Sequence, residues 1–290
     1  MSVRHIVSPE QLHSMWRNGE AAVVDCRFVM GQPQAGYDAY MMEHIPGAHY
    51  LDLEKDLSAP VQEDGRGGRH PLPPAEKLAD KLTELGITNA STVVAYDEQG
   101  GAMASRLWWL LTYLGHDKVF VLDGGFAAWK EAGYPTVSSA EEPVIDEARK
   151  SEPFVPHVRH EMVVTAEDII AKKGEIEDGR VVLIDSREDA RYRGITEPID
   201  KKAGHIPGAK HWFWKANLDA EGRFRKVKEQ MKRFEQLQDA EEVIVYCGSG
   251  VTACPNVLAL QEIGFTNVKL YAGSWSDWIS DDSRPVETNI

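Results

Sequence analysis

One cysteine stands where a predicted strand turns into a predicted helix, and it is the strongest candidate for chemistry in this chain. Cys247 follows the apolar run 243–246, which is typical of a strand that is buried on both faces. Gly248 and Gly250 come next, and glycine allows the backbone to curl back towards the sulfur. Backbone N–H groups in such a turn, together with the start of a helix, can bind an anion. The pattern therefore favours a reactive thiolate over a structural cysteine.

The candidate groups for binding an anionic substrate follow the cysteine directly: Gly248, Gly250, Val251 and Thr252. A helical pattern of apolar residues comes next, and Pro255 stands near its start. Proline lacks an N–H group, which costs little in the first turn of a helix. The helix is therefore expected to begin near Thr252.

Three other chemistries use similar residues, and the sequence argues against each of them. The spacing of Gly248, Gly250 and Ala253 matches a dinucleotide-binding turn, but Leu270 stands where an acidic residue would bind the ribose. A cysteine phosphatase needs an arginine in this loop to bind phosphate, and residues 248–254 contain none. A metal site needs matched ligands, which Cys254 does not have. Covalent chemistry of the thiolate is the interpretation that remains.

Length and charge limit the classes of partner. The chain has 290 residues, of which 42% are hydrophobic, so it is long enough for about two domains. Its 32 basic and 46 acidic residues give a net charge of −14. A surface this acidic opposes binding to nucleic acid and to anionic membranes. An anionic substrate would therefore need a local positive site.

Cysteine content and hydropathy indicate the compartment. Cys26, Cys247 and Cys254 cannot all pair within one chain and do not resemble a disulfide framework, which favours a reducing environment. Residues 1–10 lack the apolar core of a signal peptide, and no apolar run is long enough to cross a bilayer. The sequence predicts a cytoplasmic protein.

Two halves of the sequence repeat the same segments in the same order. The matched pairs are 23–27 with 183–187, 44–48 with 205–209, 93–97 with 243–247, and 119–129 with 268–278. Short apolar runs alternate with helical patterns, such as Leu107, Leu110, Leu111 and Leu114. This alternation predicts an α/β fold in which each half has a mainly parallel sheet with helices on both faces.

The boundary between the halves falls in a polar stretch. Residues 138–157 contain four glutamates, one aspartate and three prolines with little apolar periodicity, which indicates an exposed connector. We therefore place the domains at residues 1–140 and 158–290, with a linker at 141–157.

Two loop motifs have a structural interpretation beside a functional one. The His-Ile-Pro-Gly segments at 44–47 and 205–208 occur in both halves, although only one half has the candidate cysteine, so we interpret them as structural turns. Residues 64–70 form a glycine-rich, locally basic loop. This loop could reach an anion or remain a solvated surface loop, and the sequence does not favour either.

Three arginines, Arg187, Arg191 and Arg193, lie just beyond a predicted strand, at the edge of the sheet where Cys247 also lies. Such a carboxyl edge is where open α/β sheets bind ligands, and an arginine there could hold a carboxylate. The alternative is that these arginines pair with neighbouring acids such as Glu197. Arg187 has a counterpart at Arg27 and is interpreted as structural, whereas Arg191 has no arginine counterpart in the first half.

These motifs together resemble the tandem-domain rhodanese family of sulfurtransferases over nearly the whole chain. The segments on which the resemblance rests are the two His-Ile-Pro-Gly-Ala turns, the arginine segment 185–194 and the loop 247–253. The resemblance implies two similar α/β domains, of which the second is catalytic and its cysteine cycles between thiolate and persulfide. Asp97 aligns with Cys247 in the first half. A carboxylate cannot carry sulfur, so the first domain is expected to be non-catalytic.

The resemblance also implies a substrate and further site residues. Gly248 and Ser249 stand where thiosulfate-using members place Arg and Lys, which resembles the 3-mercaptopyruvate branch. In that branch Arg191 would bind the substrate carboxylate and Ser249 would handle a proton. Asp56 and His70 of the first domain match the aspartate and histidine that assist the serine.

The implied mechanism needs no cofactor. The Cys247 thiolate would attack the sulfur of a small anionic donor, and the resulting persulfide would pass its outer sulfur to cyanide, to thioredoxin or to another thiol. Two alternatives remain open, namely a thiosulfate:cyanide sulfurtransferase that uses the same mechanism and a persulfide carrier or regulatory module that docks to a partner. A redox role of Cys26 or Cys254 also remains open.

Overall fold

Two parallel sheets with the same internal order organise the chain. The computed structural model describes residues 4–140 and 152–289. The strands of the first sheet are β1 (Ile6–Val7), β2 (Ala21–Asp25), β3 (His49–Tyr50), β4 (Thr92–Tyr96) and β5 (Val119–Leu122). Those of the second are β6 (Val163–Val164), β7 (Val181–Asp185), β8 (Lys210–His211), β9 (Glu242–Tyr246) and β10 (Val268–Tyr271). The order is β1-β5-β4-β2-β3 in one sheet and β6-β10-β9-β7-β8 in the other. The predicted duplication is therefore confirmed.

Helices connect the strands in both halves. In the first half they are α1 (Pro9–Arg17), α2 (Ala35–Met42), α3 (Ala75–Glu84), α4 (Ala102–Tyr113) and α5 (Gly125–Glu131). In the second half they are α6 (Ala166–Ala171), α7 (Lys173–Glu177), α8 (Asp189–Tyr192), α9 (Val227–Arg233), α10 (Cys254–Glu262) and α11 (Ser274–Trp278). None of these helices is long and apolar enough to cross a membrane.

Helices cover both faces of each sheet, as the apolar runs predict. Alternate residues of β4 enter different apolar clusters, because successive side chains of a strand point to opposite faces. Val93 packs in the cluster that contains α3 and α4, whereas Val94 packs in the cluster that contains α1 and α5. In β9, Val245 and Ile244 divide between two clusters in the same way. The α/β class is therefore confirmed.

The two halves share one apolar cluster. Buried residues of α4, such as Trp108 and Leu111, belong to the same cluster as Val257 and Leu258 of α10. Because α4 and α10 each begin after the central strand of their own sheet, this contact brings the carboxyl ends of β4 and β9 close to the boundary between the halves. A site at the end of β9 is therefore positioned to receive side chains from the first half.

The predicted linker lies partly outside the described residues, which omit 141–151. The described part of the linker, residues 152–157, packs against the first half and is not exposed throughout. Phe154 is 3% exposed, and its backbone N–H donates to Thr83 Oγ1 at 2.9 Å. The backbone N–H of His157 donates to the Leu114 carbonyl at 2.8 Å. Burial of the Phe154 ring accounts for this attachment, and polar composition alone did not predict it.

Candidate active site

The reactive cysteine lies at the end of the central strand of the second sheet. Cys247 directly follows β9 and is 1% exposed. Its N–H donates to Ser274 Oγ at 3.1 Å, and its carbonyl accepts the N–H of Trp275 at 3.0 Å. Helix α10 begins at Cys254, slightly later than expected, with Pro255 in its first turn. The segment 247–253, which we call the cysteine loop, is therefore fixed at both ends.

Ser274 is a positioning residue that the sequence did not reveal. Its φ of +56° is strained for a residue other than glycine, by about 1 kcal/mol. The matched position in the first half is Gly125, which has φ of +59°. The sequence signal for this residue is a serine at a repeated position where the first half has glycine. Its hydroxyl donates to the Tyr271 carbonyl at 2.8 Å and accepts from the Cys247 N–H, so the strain serves to hold the cysteine.

The cysteine loop contains a row of largely buried backbone N–H donors. Within the described residues, the N–H groups of residues 248–253 donate to no protein acceptor. Gly250 allows the loop to turn, because its φ is +76° and a Cβ there would lie 2.2 Å from the Ala272 carbonyl oxygen. Buried N–H groups without acceptors are costly, so their clustering indicates an anion-binding function.

The equivalent turn of the first half already holds an anion of its own. The Asp97 carboxylate is fully buried and accepts four backbone N–H groups at 2.8–3.0 Å, from Gln99, Gly101, Met103 and Ala104. Burial raises the pKa of Asp97, and these hydrogen bonds oppose that effect. The same backbone turn thus encloses a carboxylate in one half and follows a cysteine in the other.

Ser249 and His70 meet across the boundary between the halves. His70 Nδ1 lies 2.7 Å from Ser249 Oγ, and both side chains are buried. Burial lowers the pKa of His70 to about 4, and the positive charges of Arg106 and Arg69 add to this effect. The imidazole is therefore neutral near pH 7, and one ring nitrogen can accept a proton from the serine hydroxyl.

Asp56 makes contacts within its own turn and with Lys81. Asp56 Oδ2 accepts the backbone N–H of Asp52 at 2.8 Å, and Lys81 Nζ lies 3.9 Å from Asp56 Oδ1. Within the described residues, no hydrogen bond joins Asp56 to His70. Of the two first-half residues that the resemblance suggested, only His70 contacts the site. The contacts of Asp56 order the turn that follows β3.

Two guanidinium groups lie over Gly248. A Cβ built on Gly248 would be 3.0 Å from Arg69 Nη2 and 3.6 Å from the terminal nitrogens of Arg191. Arg191 also donates to Glu197 at 2.9 Å and to Asp200 at 2.9 Å, and Arg69 pairs with the same Asp200. Arg191 is therefore paired with acids and also lies adjacent to the cysteine loop, and its binding of a substrate stays a prediction.

The loop 64–70, whose function the sequence left open, docks on the second half. The Gly67 N–H donates to Asp277 Oδ1 at 2.8 Å, and the Arg69 N–H donates to Ser276 Oγ at 3.1 Å. Arg66 instead extends into solvent, where it pairs with Asp64. The docked loop carries Arg69 and His70 to the cysteine. Docking across the boundary therefore brings Arg69, a basic residue of this loop, to Gly248.

The motifs that the sequence predicts to be scaffold have matching contacts in both halves. Arg27 and Arg187 pair with the aspartates that end β2 and β7, at 2.7 and 2.6 Å. His44 and His205 place Nδ1 at 2.6 and 2.8 Å from a backbone carbonyl oxygen. The described residues contain no cluster of His, Cys, Asp and Glu that could hold a metal ion. Because these contacts also occur in the first half, which lacks the reactive cysteine, they stabilise the fold.

The buried state of His70 leads to a prediction about pH. Above pH 6.5 the residue is neutral in both folded and unfolded chains, whereas between 6.5 and about 4 the unfolded chain binds more protons. As the pH decreases from 6.5 to about 4, the free energy of unfolding should therefore decrease by about 3 kcal/mol from this residue alone. Unfolding by urea at pH 7 and pH 4.5 should show a smaller decrease in His70→Gln than in wild type. His157→Gln, which changes a histidine that is not buried, should resemble wild type.

Comparisons with known proteins agree with this arrangement. The model of the rhodanese-like domain matches residues 8–132 and 171–281. A Pseudomonas aeruginosa protein named "Probable 3-mercaptopyruvate sulfurtransferase" is 42% identical over 292 residues, which cover 99% of each chain. Thiosulfate/3-mercaptopyruvate sulfurtransferase 2 of Arabidopsis thaliana is 33% identical, over 97% of this chain and 86% of its own. The solved 3-mercaptopyruvate sulfurtransferase of Leishmania major is 28% identical with a TM-score of 0.79, over 94% of this chain and 73% of its own. The chain thus belongs to the rhodanese-like family and carries its domain twice.

Proposed function

We propose that this protein is a sulfurtransferase that moves sulfur from 3-mercaptopyruvate to a thiol or to cyanide through a persulfide on Cys247. The observation that carries the proposal is the pair of equivalent turns. One encloses the Asp97 carboxylate with four N–H groups, and the other presents, beside a cysteine, N–H groups that have no acceptor among the described residues. Relatives from Pseudomonas aeruginosa and Leishmania major named for 3-mercaptopyruvate support the choice of donor.

In the first step, the Cys247 thiolate attacks the sulfur of 3-mercaptopyruvate. A sulfur–sulfur bond forms while the bond between sulfur and carbon breaks, and the electron pair of that bond leaves with the carbon as the enolate of pyruvate. The enolate gains the proton that the donor thiol loses, so the products are pyruvate and an anionic Cys247 persulfide. The backbone N–H groups of residues 248–253 would stabilise the outer sulfur, because they are fixed before the charge arrives.

In this proposal, Ser249 and His70 carry that proton. With Nδ1 of a neutral imidazole 2.7 Å from the serine hydroxyl, the pair can take the proton from the donor thiol and return it to the enolate carbon. The low pKa of His70 favours prompt return of the proton at pH 7. Asp56 would support this pair only indirectly, through the turn that it orders.

In the second step, an acceptor thiolate or cyanide attacks the outer sulfur and releases the Cys247 thiolate. Neither half of this reaction needs a cofactor. We propose thioredoxin or another cellular thiol as the acceptor, and a cytoplasmic location. The support is the presence of three free cysteines, Cys26, Cys247 and Cys254, which a reducing compartment preserves.

The charges above the cysteine loop suit a donor with one negative charge. Gly248 and Ser249 contribute no positive charge beside the sulfur, and the guanidinium groups of Arg69 and Arg191 lie above Gly248. These two cations are balanced by the buried carboxylates of Glu197 and Asp200, so the group of four has no excess charge. Burial raises the pKa of Asp200. Arg191 would therefore recognise the carboxylate of 3-mercaptopyruvate by geometry, while the second charge of thiosulfate would remain uncompensated.

A comparison of donors tests the proposal. With cyanide as the acceptor, kcat/KM should be higher for 3-mercaptopyruvate than for thiosulfate, measured at donor concentrations well below saturation. Turnover of thiosulfate at the higher kcat/KM would overturn the choice of donor and favour the alternative, a thiosulfate:cyanide sulfurtransferase. A persulfide that forms without turnover of either donor would instead favour a sulfur carrier that docks to a partner protein.

Variants of the arginines provide the second arm of the test. Arg191→Ala should lower kcat/KM for 3-mercaptopyruvate by tens-fold, which corresponds to about 2 kcal/mol for a lost charge-assisted contact. Arg193→Ala is the matched control, because Arg193 is partly exposed and contacts Asp189 at 3.7 Å. The control should retain wild-type kinetics. If Arg191→Ala loses activity only in proportion to its loss of thermal stability, Arg191 serves the fold rather than the substrate.

A further inference from the structure

Arg106 is a buried arginine of the first half whose guanidinium group contacts the cysteine loop. It lies on α4 and is 0% exposed. Nη1 donates to the Gly250 carbonyl oxygen at 3.1 Å, and Nη2 donates to the His70 carbonyl oxygen at 3.1 Å. Nη2 also lies 3.5 Å from the Leu57 carbonyl oxygen. One side chain therefore fixes the cysteine loop against the segment that carries His70.

Within residues 4–140 and 152–289, no carboxylate pairs with Arg106. Arg27 and Arg187 are also buried, but each forms an ion pair with an aspartate, at 2.7 and 2.6 Å. Arg106 donates to three neutral carbonyl groups and also contacts the Cys254 thiol, and its Nε atom is buried without a hydrogen-bond partner in the described part of the chain. Burying a cation in this way is unfavourable unless an anion lies nearby.

The sulfur atoms of Cys254 and Cys247 lie near Arg106. Burial lowers the pKa of Arg106, and attraction to the thiolates of Cys254 and Cys247 opposes this effect. Burial raises the pKa of Cys254 to about 12, so Cys254 is a neutral thiol near pH 7. The Cys254 thiol is also engaged as a donor, with Sγ 3.4 Å from the Gly250 carbonyl oxygen. The sulfur of Cys247 is therefore the group that can balance the charge of Arg106.

We propose that Arg106 is a positioning residue for sulfur transfer, which holds the Gly250 carbonyl and supplies a buried positive charge that favours an anionic sulfur on Cys247. This inference rests on the proposed thiolate and persulfide chemistry, but it does not depend on which donor supplies the sulfur. It gives the half that lacks the reactive cysteine an electrostatic function in the reaction.

Other ionisable groups also face the cysteine loop and contribute to its response to pH. They are Arg69 and Arg191 above Gly248, His70 beside Ser249, and Cys254 beside Gly250. Arg69 and Arg191 are paired with carboxylates, and His70 is neutral near pH 7. Arg106 therefore differs from the other arginines at the loop, because within the described residues it has no ionic partner except the thiols.

The test is the pH dependence of Cys247 alkylation by iodoacetamide, with the modified residue located by mass spectrometry. No sulfur donor is present, so the result is independent of the choice between 3-mercaptopyruvate and thiosulfate. The pH midpoint of alkylation should rise by about one unit in Arg106→Met and rise less in Arg106→Lys, which retains a basic group. The kcat/KM for sulfur transfer should fall roughly tenfold to a hundredfold in Arg106→Met and less in Arg106→Lys.

Arg27→Met is the matched control, since it also removes a buried arginine from the first half. It should lower the melting temperature without shifting the alkylation midpoint. An unchanged midpoint in a folded Arg106→Met would overturn the proposal and leave Arg106 a purely structural residue. If Arg106→Met does not fold, Arg106→Gln carries the same expectation, because its amide can still donate to a carbonyl but has no charge. Failure of Cys247 to alkylate in wild type would instead contradict the proposed function itself.

Discussion

Cys247→Ser is expected to abolish sulfur transfer while the protein stays folded. A serine hydroxyl has nearly the same shape as the thiol, but it is not ionised near pH 7 and cannot store sulfane sulfur as a persulfide. We expect kcat with 3-mercaptopyruvate and cyanide to fall to the rate without enzyme. The hydrogen bonds that position the residue use its backbone, so the melting temperature should change little.

The two other cysteines are the controls for this prediction. Burial raises the pKa of Cys26 well above its usual range and that of Cys254 to about 12, so both are thiols near pH 7. Cys26→Ser and Cys254→Ser should therefore retain most of the activity, although burying a hydroxyl in place of a thiol will lower stability somewhat. Loss of activity in Cys254→Ser without loss of folding would show that the transfer passes through a second sulfur.

Gly250→Ala is expected to have the second largest effect, a loss of kcat/KM on the order of a hundredfold. The residue has φ of +76°, and an added Cβ would lie 2.2 Å from the Ala272 carbonyl oxygen, so the loop or the strand end must move. Such a movement would shift the N–H groups from the position that the outer sulfur occupies in the persulfide. It would also disturb the Gly250 carbonyl that Arg106 holds.

Gly222→Ala separates this effect from the general cost of a left-handed alanine. Gly222 has φ of +75°, but nothing in the described part of the chain lies within 4 Å of the point that an added Cβ would occupy. Gly222→Ala should lose about 1 kcal/mol of folding free energy, measured by urea unfolding, for the backbone conformation, and Gly250→Ala should lose more because of its close approach to Ala272. Gly222→Ala should keep wild-type kcat/KM. Equal kinetic losses in both variants would show that the close approach to Ala272 has no special importance.

The sequence alone predicted the structural features whose signals are local or repeated. The repeats at 23–27 and 183–187 predicted the duplication, and the apolar run before Cys247 predicted the buried strand β9. The glycines after Cys247 predicted the turn, because only glycine tolerates the backbone at Gly250. Periodicity and backbone sterics act over a few residues, so a single sequence can reveal them.

Residues that reach the site across the boundary were harder to identify. Arg106 sits in an apolar helix whose pattern predicted only a buried face, and its contact with Gly250 depends on how α4 packs against α10. Arg69 reaches Gly248 because its loop docks on Asp277, which is distant in sequence. Among the described residues Asp56 bonds to its own turn, so the role suggested for it beside Ser249 stays a prediction. Such contacts follow from tertiary packing and leave no local pattern.

The mass of the peptide that contains Cys247 is the most direct measurement of the proposed chemistry. The reduced protein is treated with 3-mercaptopyruvate in the absence of an acceptor, alkylated, digested and analysed by mass spectrometry. We expect the mass of one additional sulfur atom on the Cys247 peptide, release of a matching amount of pyruvate, and removal of the extra sulfur by cyanide. Extra sulfur confined to the peptides of Cys26 or Cys254, or pyruvate released while the Cys247 peptide stays unmodified, would contradict a persulfide on Cys247.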